Sequence, residues 1–507
     1  FTDRSSGAPT QWSWSFGDGG TSTARNPVHS YAAPGTYLVT LTAANATTSG
    51  ITTRTVSVTS SAAYRTLVSA VAQTPGAGNT SWRTELSVFN AGSQPAEVAL
   101  RFIPSAGGQP INASLSLGAK QSQTFANALL DLFDLRNGAG ALTLEATSAG
   151  GSPDIRVTSR TFTTGATGTY GQAVPDVRPD LLAQTLFVTG ISSNAAYRTN
   201  IGLVNRESAP VSVTLTLHNA LGNTLATRDV IIPANSFQQS GLGAFFPVIN
   251  GGTYDVLTMK LVAANASAVS TYASVIDNRT QDPIYIQGVP ATFGNTLVVP
   301  VVGRAPGANN TFWRSDVTLF NPSAAALNVT LRYNDVSQQL AIGGNDTVVL
   351  ADVLSRFGFN SGSGTLQMSW SAAAGPVVTT RTYTSVETGG TYGQAIDPVS
   401  TFGSRMFVPG LRHDSDFRTN LGFVNGGNEV ANIVVTILSP FGAELGRTGI
   451  SVAPNAQVQF GVNGLFPNAD VAGGFTLQMQ GDANALVFAY GSMVDNDSGD
   501  PVFFAGR

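Results

Sequence analysis

One signature recurs four times along this chain, and it restricts the fold more than any other feature. It reads aromatic–Arg–Thr/Ser–x–apolar–x–apolar–apolar–Asn, as WRTELSVFN, YRTNIGLVN, WRSDVTLFN and FRTNLGFVN. The copies begin at residues 82, 197, 313 and 417, which are 115, 116 and 104 residues apart. Near-constant spacing of this kind marks homologous folding units. Within a copy the side chains alternate as on a strand. Trp82, Thr84, Leu86 and Val88 form the expected core face, and Arg83, Glu85, Ser87 and Phe89 the other. Each signature Arg has a polar residue two positions on (Glu85, Asn200, Asp316, Asn420), on the same face. That arrangement reads either as a solvated ion pair or as a contact between domains or subunits, where the planar guanidinium is favoured. Asn90, Asn205, Asn321 and Asn425 end the strands and are placed to bond the following turns.

A second order of repetition lies above the first. Thr169-Tyr170-Gly171-Gln172-Ala173 and Thr391-Tyr392-Gly393-Gln394-Ala395 close the first and third units. Val275-Ile276-Asp277-Asn278 and Met493-Val494-Asp495-Asn496, each followed by Asp-Pro, close the second and fourth. The organisation is therefore A-B-A′-B′. The expected boundaries are 61–182 for A, 183–290 for B, 291–401 for A′ and 402–507 for B′, after a partial domain at 1–60. Apolar–polar alternation at 211–217, 328–333 and 433–438 predicts strands. Short helical turns are expected at 128–133, 242–246, 350–357 and 464–466. Seven or so short strands per unit predict an all-β protein, a tandem array of immunoglobulin-like sandwiches, with closed barrel or jelly-roll variants as alternatives. Domains in a row with short linkers would make a rod.

The first sixty residues carry a more specific pattern. Trp12-Ser13-Trp14-Ser15-Phe16-Gly17-Asp18-Gly19-Gly20 is followed by Asn26-Pro27-Val28-His29-Ser30-Tyr31 and by Pro34-Gly35-Thr36-Tyr37-Leu38-Val39-Thr40-Leu41. Order and spacing resemble the PKD (polycystic-kidney-disease-type) domain, which is immunoglobulin-like. The resemblance covers about an eighth of the chain and lacks the family's leading strand, with Phe1-Thr2-Asp3 resembling its second. Two readings follow: a fragment or unordered start, or an open edge that a strand from a neighbouring subunit fills. Asp18 reads as a turn residue bonding its own backbone. The four repeats resemble secreted bacterial β-sandwich repeat proteins, a resemblance that brings no activity with it.

Composition narrows the function. Hydrophobic residues make up 42% of the 507, enough for a core in every unit, but charged residues only 11%, against ~25% in ordinary soluble proteins. The formal net charge of −4 argues against a nucleic-acid partner. With no cysteine, disulfides and thiolate chemistry are excluded. No run of ~18 apolar residues predicts a membrane span. The three histidines, His29, His218 and His413, are not at metal-ligand spacing, and no nucleophile elbow occurs. The chain therefore reads as non-enzymatic, with no cofactor. Asp277, Asp282, Asp495, Asp497 and Asp500 are candidate calcium ligands, because Ca²⁺ takes ~6–8 oxygens. The same Asp-Asn and Asp-Pro pairs are also ordinary turn chemistry.

Low charge and tandem sandwiches predict an extracellular or cell-surface structural protein, the subunit of a self-assembling filament or layer. Its partner would be a second copy of itself, met through strand edges and outer sheet faces. Phe1, Thr2, Asp3, Arg83, Arg198, Arg314 and Arg418 are the interface candidates. The alternatives are a cell-surface adhesin or carbohydrate-binding module, with glycans or other surface proteins as partners, and the non-catalytic part of a larger secreted hydrolase. The PKD resemblance implies such company, since that family accompanies secreted hydrolases and adhesins.

Overall fold

The structure, a computed structural model, describes residues 1–29, 31, 35–58, 64–77, 80–105, 107–148, 152–177, 182–264, 269–308, 310–387 and 389–507. Ser30 and Pro34 of the N-terminal pattern lie outside them. Nearly all regular structure is strand. No helix among the described residues is long and apolar enough to cross a membrane. The chain forms two compact units: Phe1–Ala63 with Thr147–Ser152, and Tyr64–Ala146 with Pro153–Arg507.

The first unit is one antiparallel sheet, in the order Thr21–Ser22, Gln11–Ser15, Gly35–Ala44, Ser49–Val58. The alternation of Trp14 and Phe16, and of Val39, Leu41 and Ala43, puts these five side chains on one buried face. Rings extend that core, with Phe16 stacked on His29 at 4.0 Å and Tyr31 on Tyr37 at 4.2 Å. Residues 1–10 contain no strand, which differs from the expected second strand. They are tied down piecemeal instead. The Phe1 amino group donates to Pro27 O (2.8 Å) and Asp3 N to Asn26 Oδ1 (2.9 Å).

In the second unit every sequence repeat shares a framework of eight strands, to which A adds Asp176–Val177 and A′ the short pair Thr292–Phe293 and Ala374–Gly375. Repeat A runs Tyr64–Pro75, Ser81–Asn90, Ala96–Pro104, Ile111–Leu117, Ser122–Phe125, the helical turn Ala128–Phe133, then Gly138–Thr147, Ile155–Thr164 and Thr169–Ala173. Numbered in that order, the strands form two antiparallel sheets, 4-3-6-1 and 5-2-7-8, and B, A′ and B′ repeat the arrangement. In A and A′ the ends of strands 1 and 2 also pair, joining the two sheets. The signature strand is number 2 each time, central in its sheet. Helical turns occur at Ala128–Phe133, Leu242–Phe245 and Val353–Arg356, within the expected ranges, and at Val462–Leu465, which begins two residues before the expected 464–466.

The signature's last residue explains much of its recurrence. The Asn205 Nδ2 group donates to three carbonyls, Ala209 O (2.9 Å), Ile232 O (3.2 Å) and Pro233 O (2.9 Å). Its Oδ1 accepts from Glu207 N at 2.9 Å. Asn90, Asn321 and Asn425 make corresponding bonds. One buried amide thus closes the turn after strand 2 and secures the end of strand 4. The glycine in the middle of the B signatures has a different cause. A Cβ on Gly202 would lie 2.0 Å from the buried Tyr272 ring, and one on Gly422 1.9 Å from Tyr490.

The four sandwiches do not form a row. They close on one another as A–B–A′–B′–A, with a pseudo-twofold relation between the A–B′ and A′–B contacts. Phe89 of A meets Phe407 of B′ at 5.1 Å, and Phe320 of A′ meets Phe187 of B at 5.4 Å. Thr158 Oγ1 donates to Pro409 O (2.9 Å), and Thr379 Oγ1 to Thr189 O (3.1 Å). Ser122 N donates to Pro440 O (2.9 Å), and Thr347 N to Ala220 O (2.8 Å). The A–B contact uses Arg101 with Asn235 at 2.9 Å, and A′–B′ uses Gln367 with Asn455 at 2.8 Å. Strand 2 of A is therefore buried on both faces, from Thr84 to Asn90. Of the two sequence readings of this face, a solvated one and a contact between domains, the burial fits the second. Asn205→Ala would strand buried carbonyls and cost about 3 kcal/mol. A urea midpoint unchanged from the parent protein would refute that role.

Candidate functional site

The hairpins between strands 7 and 8 of B and B′ carry the chemistry that sequence singled out. Asp277 ends strand 7 of B and Pro283 opens strand 8. Asp277 N donates to Asp282 O at 2.9 Å, and Asp495 N to Asp500 O at 2.9 Å in B′. Each hairpin is a turn capped by its own first carboxylate. Asp277 Oδ1 accepts from Arg279 N (2.9 Å) and Thr280 N (3.1 Å). Asp495 Oδ1 accepts from Asp497 N (3.0 Å) and Ser498 N (2.8 Å).

The second oxygens reach into the next sandwich. Asp277 Oδ2 accepts from Thr391 N (3.0 Å) and Thr391 Oγ1 (2.9 Å) of A′. Asp495 Oδ2 accepts from Thr169 N (2.8 Å) and Thr169 Oγ1 (2.7 Å) of A. Asp282 Oδ2 takes Gly393 N, and Asp500 Oδ2 takes Gly171 N, both at 2.9 Å. A Cβ at Gly171 would lie 2.4 Å from Thr161 O, so strand 8 needs glycine there. The Thr-Tyr-Gly blocks of A and A′ and the Asp loops of B′ and B are thus two halves of one lock. Four of the five candidate calcium ligands are engaged in it, and Asp497 is exposed to solvent. Among the described residues no group of three or more His, Asp or Glu is arranged to hold a metal ion.

The two locks meet at the centre of the ring, where Tyr170 and Tyr392 lie 6.3 Å apart. Beside them a cavity of about 40 Å³ is lined by residues of all four sandwiches, among them Gly171, Pro283, Gly393 and Pro501. That is room for a water molecule or two. Arg160 is wholly enclosed, donates to Thr169 Oγ1 (2.9 Å) and pairs with Asp500 Oδ2 at 3.5 Å. Its counterpart Arg381 donates to Tyr197 Oη (2.8 Å) and to Thr391 Oγ1. Asp282 and Asp500 are both fully buried, and Oδ1 of each lacks a hydrogen-bond partner. Burial pushes Asp500 up to about 8. Asp282 is raised by burial first and then by the Asp500 charge. Burial thus favours the neutral form of both carboxyls. Burial would raise Asp495 too, but hydrogen bonds from Ser498 and Thr169 outweigh it and hold that carboxyl below its usual value.

The other predicted residues divide. Arg198 donates to Asn278 Oδ1 (3.0 Å) and Gln281 Oε1 (2.7 Å), and Arg418 to Asn496 Oδ1 (3.0 Å), bracing the Asp loops from within B and B′. Arg83 lies over Phe162 at 4.5 Å and Arg314 over Tyr383 at 5.7 Å, inside A and A′. None pairs with the residue two positions on. Glu85 instead meets Arg412 of B′ at 3.0 Å, because the strand's outer face is covered by that sandwich. Of the signature aromatics, Phe417 is buried in the core as expected, and Trp82, Tyr197 and Trp313 are half-buried. Trp82 is half-buried against Tyr170, while Tyr197 and Phe417 lie beneath Arg381 and Arg160 of the neighbouring sandwich. Sequence reasoning missed Arg160 and Arg381. Their shared Arg-Thr-Phe/Tyr-Thr context, 160–163 and 381–384, was the available signal. In the first unit, Asp3 is buried and accepts from Trp12 Nε1 (2.9 Å), and Phe1 packs on Phe16 at 5.1 Å. Thr2 lines a groove of about 920 Å³ with Phe1, Trp14 and Val56. Asp18 caps its own turn through Gly20 N (2.9 Å) and meets His29 at 2.8 Å.

The family model for the PKD domain matches residues 1–60. The PKD domain thus accounts for the first unit's motif. No curated protein sequence matches the chain. Among solved structures, Thermotoga maritima 1070 is similar to 22% of this chain over 96% of its own, at 14% identity and TM-score 0.19. A tetra-tandem repeat from the extending region of a large adhesion protein is similar over 86% of this chain and 98% of its own, at 13% identity and TM-score 0.11. Carbohydrate-binding modules of the β-sandwich superfamily match 57% of this chain and 86% of theirs, at 12% identity and TM-score 0.14. At these scores the likeness does not extend to the arrangement of the whole chain.

An unfolded aspartate titrates near ~4, whereas Asp500 in the folded ring does so at about 8. The folded state therefore holds the extra proton between those limits, and the contribution is lost as pH rises through them. Melting temperature should fall from pH 5 to 9 in the parent protein, and less steeply in Asp500→Asn. Equal slopes would rule the central proton out. Asp495→Ala, which strands Thr169 N–H, should lower stability by roughly 2–3 kcal/mol, read as a shifted denaturation midpoint.

Proposed function

We propose that the chain is an extracellular structural protein, the repeating subunit of a surface filament or layer, and that it carries out no reaction. The observation that carries this reading is the placement of strand 4 in each sandwich. Ring closure covers the outer face of the 5-2-7-8 sheets in A and A′, while strand 4 stays at the end of its sheet in all four repeats. These strands, Ile111–Leu117, Thr224–Ile232, Val336–Ile342 and Glu444–Val452, are largely exposed. Ile111, Ile231 and Val336 on them are exposed apolar residues. Free strand ends of this kind template pairing with another chain. Four edges on one compact body give repeated contacts, and a charge content of 11% leaves little repulsion between copies.

Electron microscopy and sedimentation of the purified chain test this. Regular fibres or sheets are expected, and the triple variant Ile111→Lys, Ile231→Lys, Val336→Lys should remain dispersed, since edge lysines block pairing. A parent protein that stays monomeric at all concentrations and is retained on immobilised glycans would replace this reading with adhesion.

A further inference from the structure

The pseudo-twofold symmetry fails at Arg412, and that failure leaves a cleft. Where A meets B′, Arg412 fills the space between them. Its guanidinium pairs with Glu85 at 3.0 Å and lies 4.2 Å from the Phe417 ring centre. Arg160 approaches the same ring at 5.5 Å, so Phe417 carries two guanidinium groups. Where A′ meets B, the position equivalent to Arg412 is Ser192. Its hydroxyl donates to Asp255 O at 2.8 Å. The result is an open cleft of about 280 Å³ lined by Ser192, Tyr197, Asp255, Asp316, Arg381 and Tyr383.

Every other part of the filled site has its counterpart here. Asp316 takes the place of Glu85, Tyr197 that of Phe417, and Arg381 that of Arg160. Asp316 Oδ1 accepts from Asp352 N at 2.8 Å, and no described donor is bonded to its Oδ2. Arg381 lies over Tyr197 at 5.3 Å, and among the described residues no second guanidinium does. The cleft adds a carboxylate that the filled site lacks, since Asp255 stands where B′ has Gly473. Burial raises Asp316, as it raises Glu85 in the filled site, and a cation beside it would restore the charged form. The volume is just below the ~300–1,000 Å³ of small-molecule pockets, a space for one side chain.

We propose that the B–A′ cleft binds an arginine side chain presented by another polypeptide, which stacks on Tyr197 and pairs with Asp316 as Arg412 does with Phe417 and Glu85 in the sister site. The internal copy defines the chemistry: a planar cation between an aromatic face and a carboxylate. Calorimetric titration of the full chain with N-acetyl-L-argininamide tests it, with the neutral N-acetyl-L-citrullinamide as control. One saturable site is expected, with citrullinamide roughly tenfold weaker or more. Ser192→Arg should abolish binding by supplying the guanidinium internally, and Arg412→Ser should open the sister site and raise the stoichiometry to two. Absence of saturable binding to the parent protein, or equal binding to Ser192→Arg, overturns the proposal. Should Ser192→Arg not fold, a folded Asp316→Asn that binds like the parent overturns it equally. Self-association lost in both Ser192→Arg and Asp316→Asn would assign the arginine to a second copy. A monomeric parent that binds the probe would assign it to a different chain.

Discussion

Asp277 and Asp495 each divide one carboxylate between two duties, and the second unit depends on that division. One oxygen caps the hairpin the residue belongs to. The other takes the backbone N–H and hydroxyl of a threonine in the next sandwich. Charge-assisted bonds to backbone donors are among the stronger ones available, and burial prevents water from competing. A sandwich that lost its neighbour would leave a carboxylate and a threonine N–H facing each other's absence. The interface therefore belongs to the fold rather than being added to finished domains.

Around these locks the ring excludes water from a centre that still holds ionisable groups. Arg160, Asp282 and Asp500 are enclosed together, and ions in such a place are costly unless paired. The structure meets that cost in two ways. Arg160 has aromatic faces and Asp500 against it, and burial shifts Asp282 and Asp500 toward their neutral forms. The same economy appears on the outer faces at the contacts, where the buried Thr158 and the half-buried Thr379 present small hydroxyls. Such groups need one hydrogen bond each, and a neighbouring carbonyl supplies it as well as water does.

Much of the fold was legible in the residues. Period-two alternation located strands because one side of each must be apolar. The signature Asn marked strand ends because only an amide can serve three carbonyls and one N–H at once. Turn chemistry located the Asp hairpins. The first unit's strand pattern followed its aromatic spacing, although residues 1–10 proved to be held by scattered side-chain bonds instead of a ladder. The site was half legible. The Thr-Tyr-Gly-Gln-Ala and Asp-Asn…Asp-Pro blocks were visible as separate repeats, but nothing in either says that it completes the other. The signature arginines drew attention by recurring, yet they serve their own sandwiches, and the arginines at the interfaces lie on different strands.

The sequence by itself determined the number of repeats, their all-β character, the position of the shared strand and the A-B-A′-B′ order, since each follows from local periodicity and spacing. Only the tertiary structure decided that the four sandwiches close on one another, that Glu85 faces Arg412, and that Ser192 leaves a cleft where its counterpart fills one. The physical reason is that an outer face carries small hydroxyl side chains such as Ser87 and Thr158 whether it meets water or another sandwich. Their hydrogen-bond needs are the same in both places, so the pattern along the chain cannot distinguish the two.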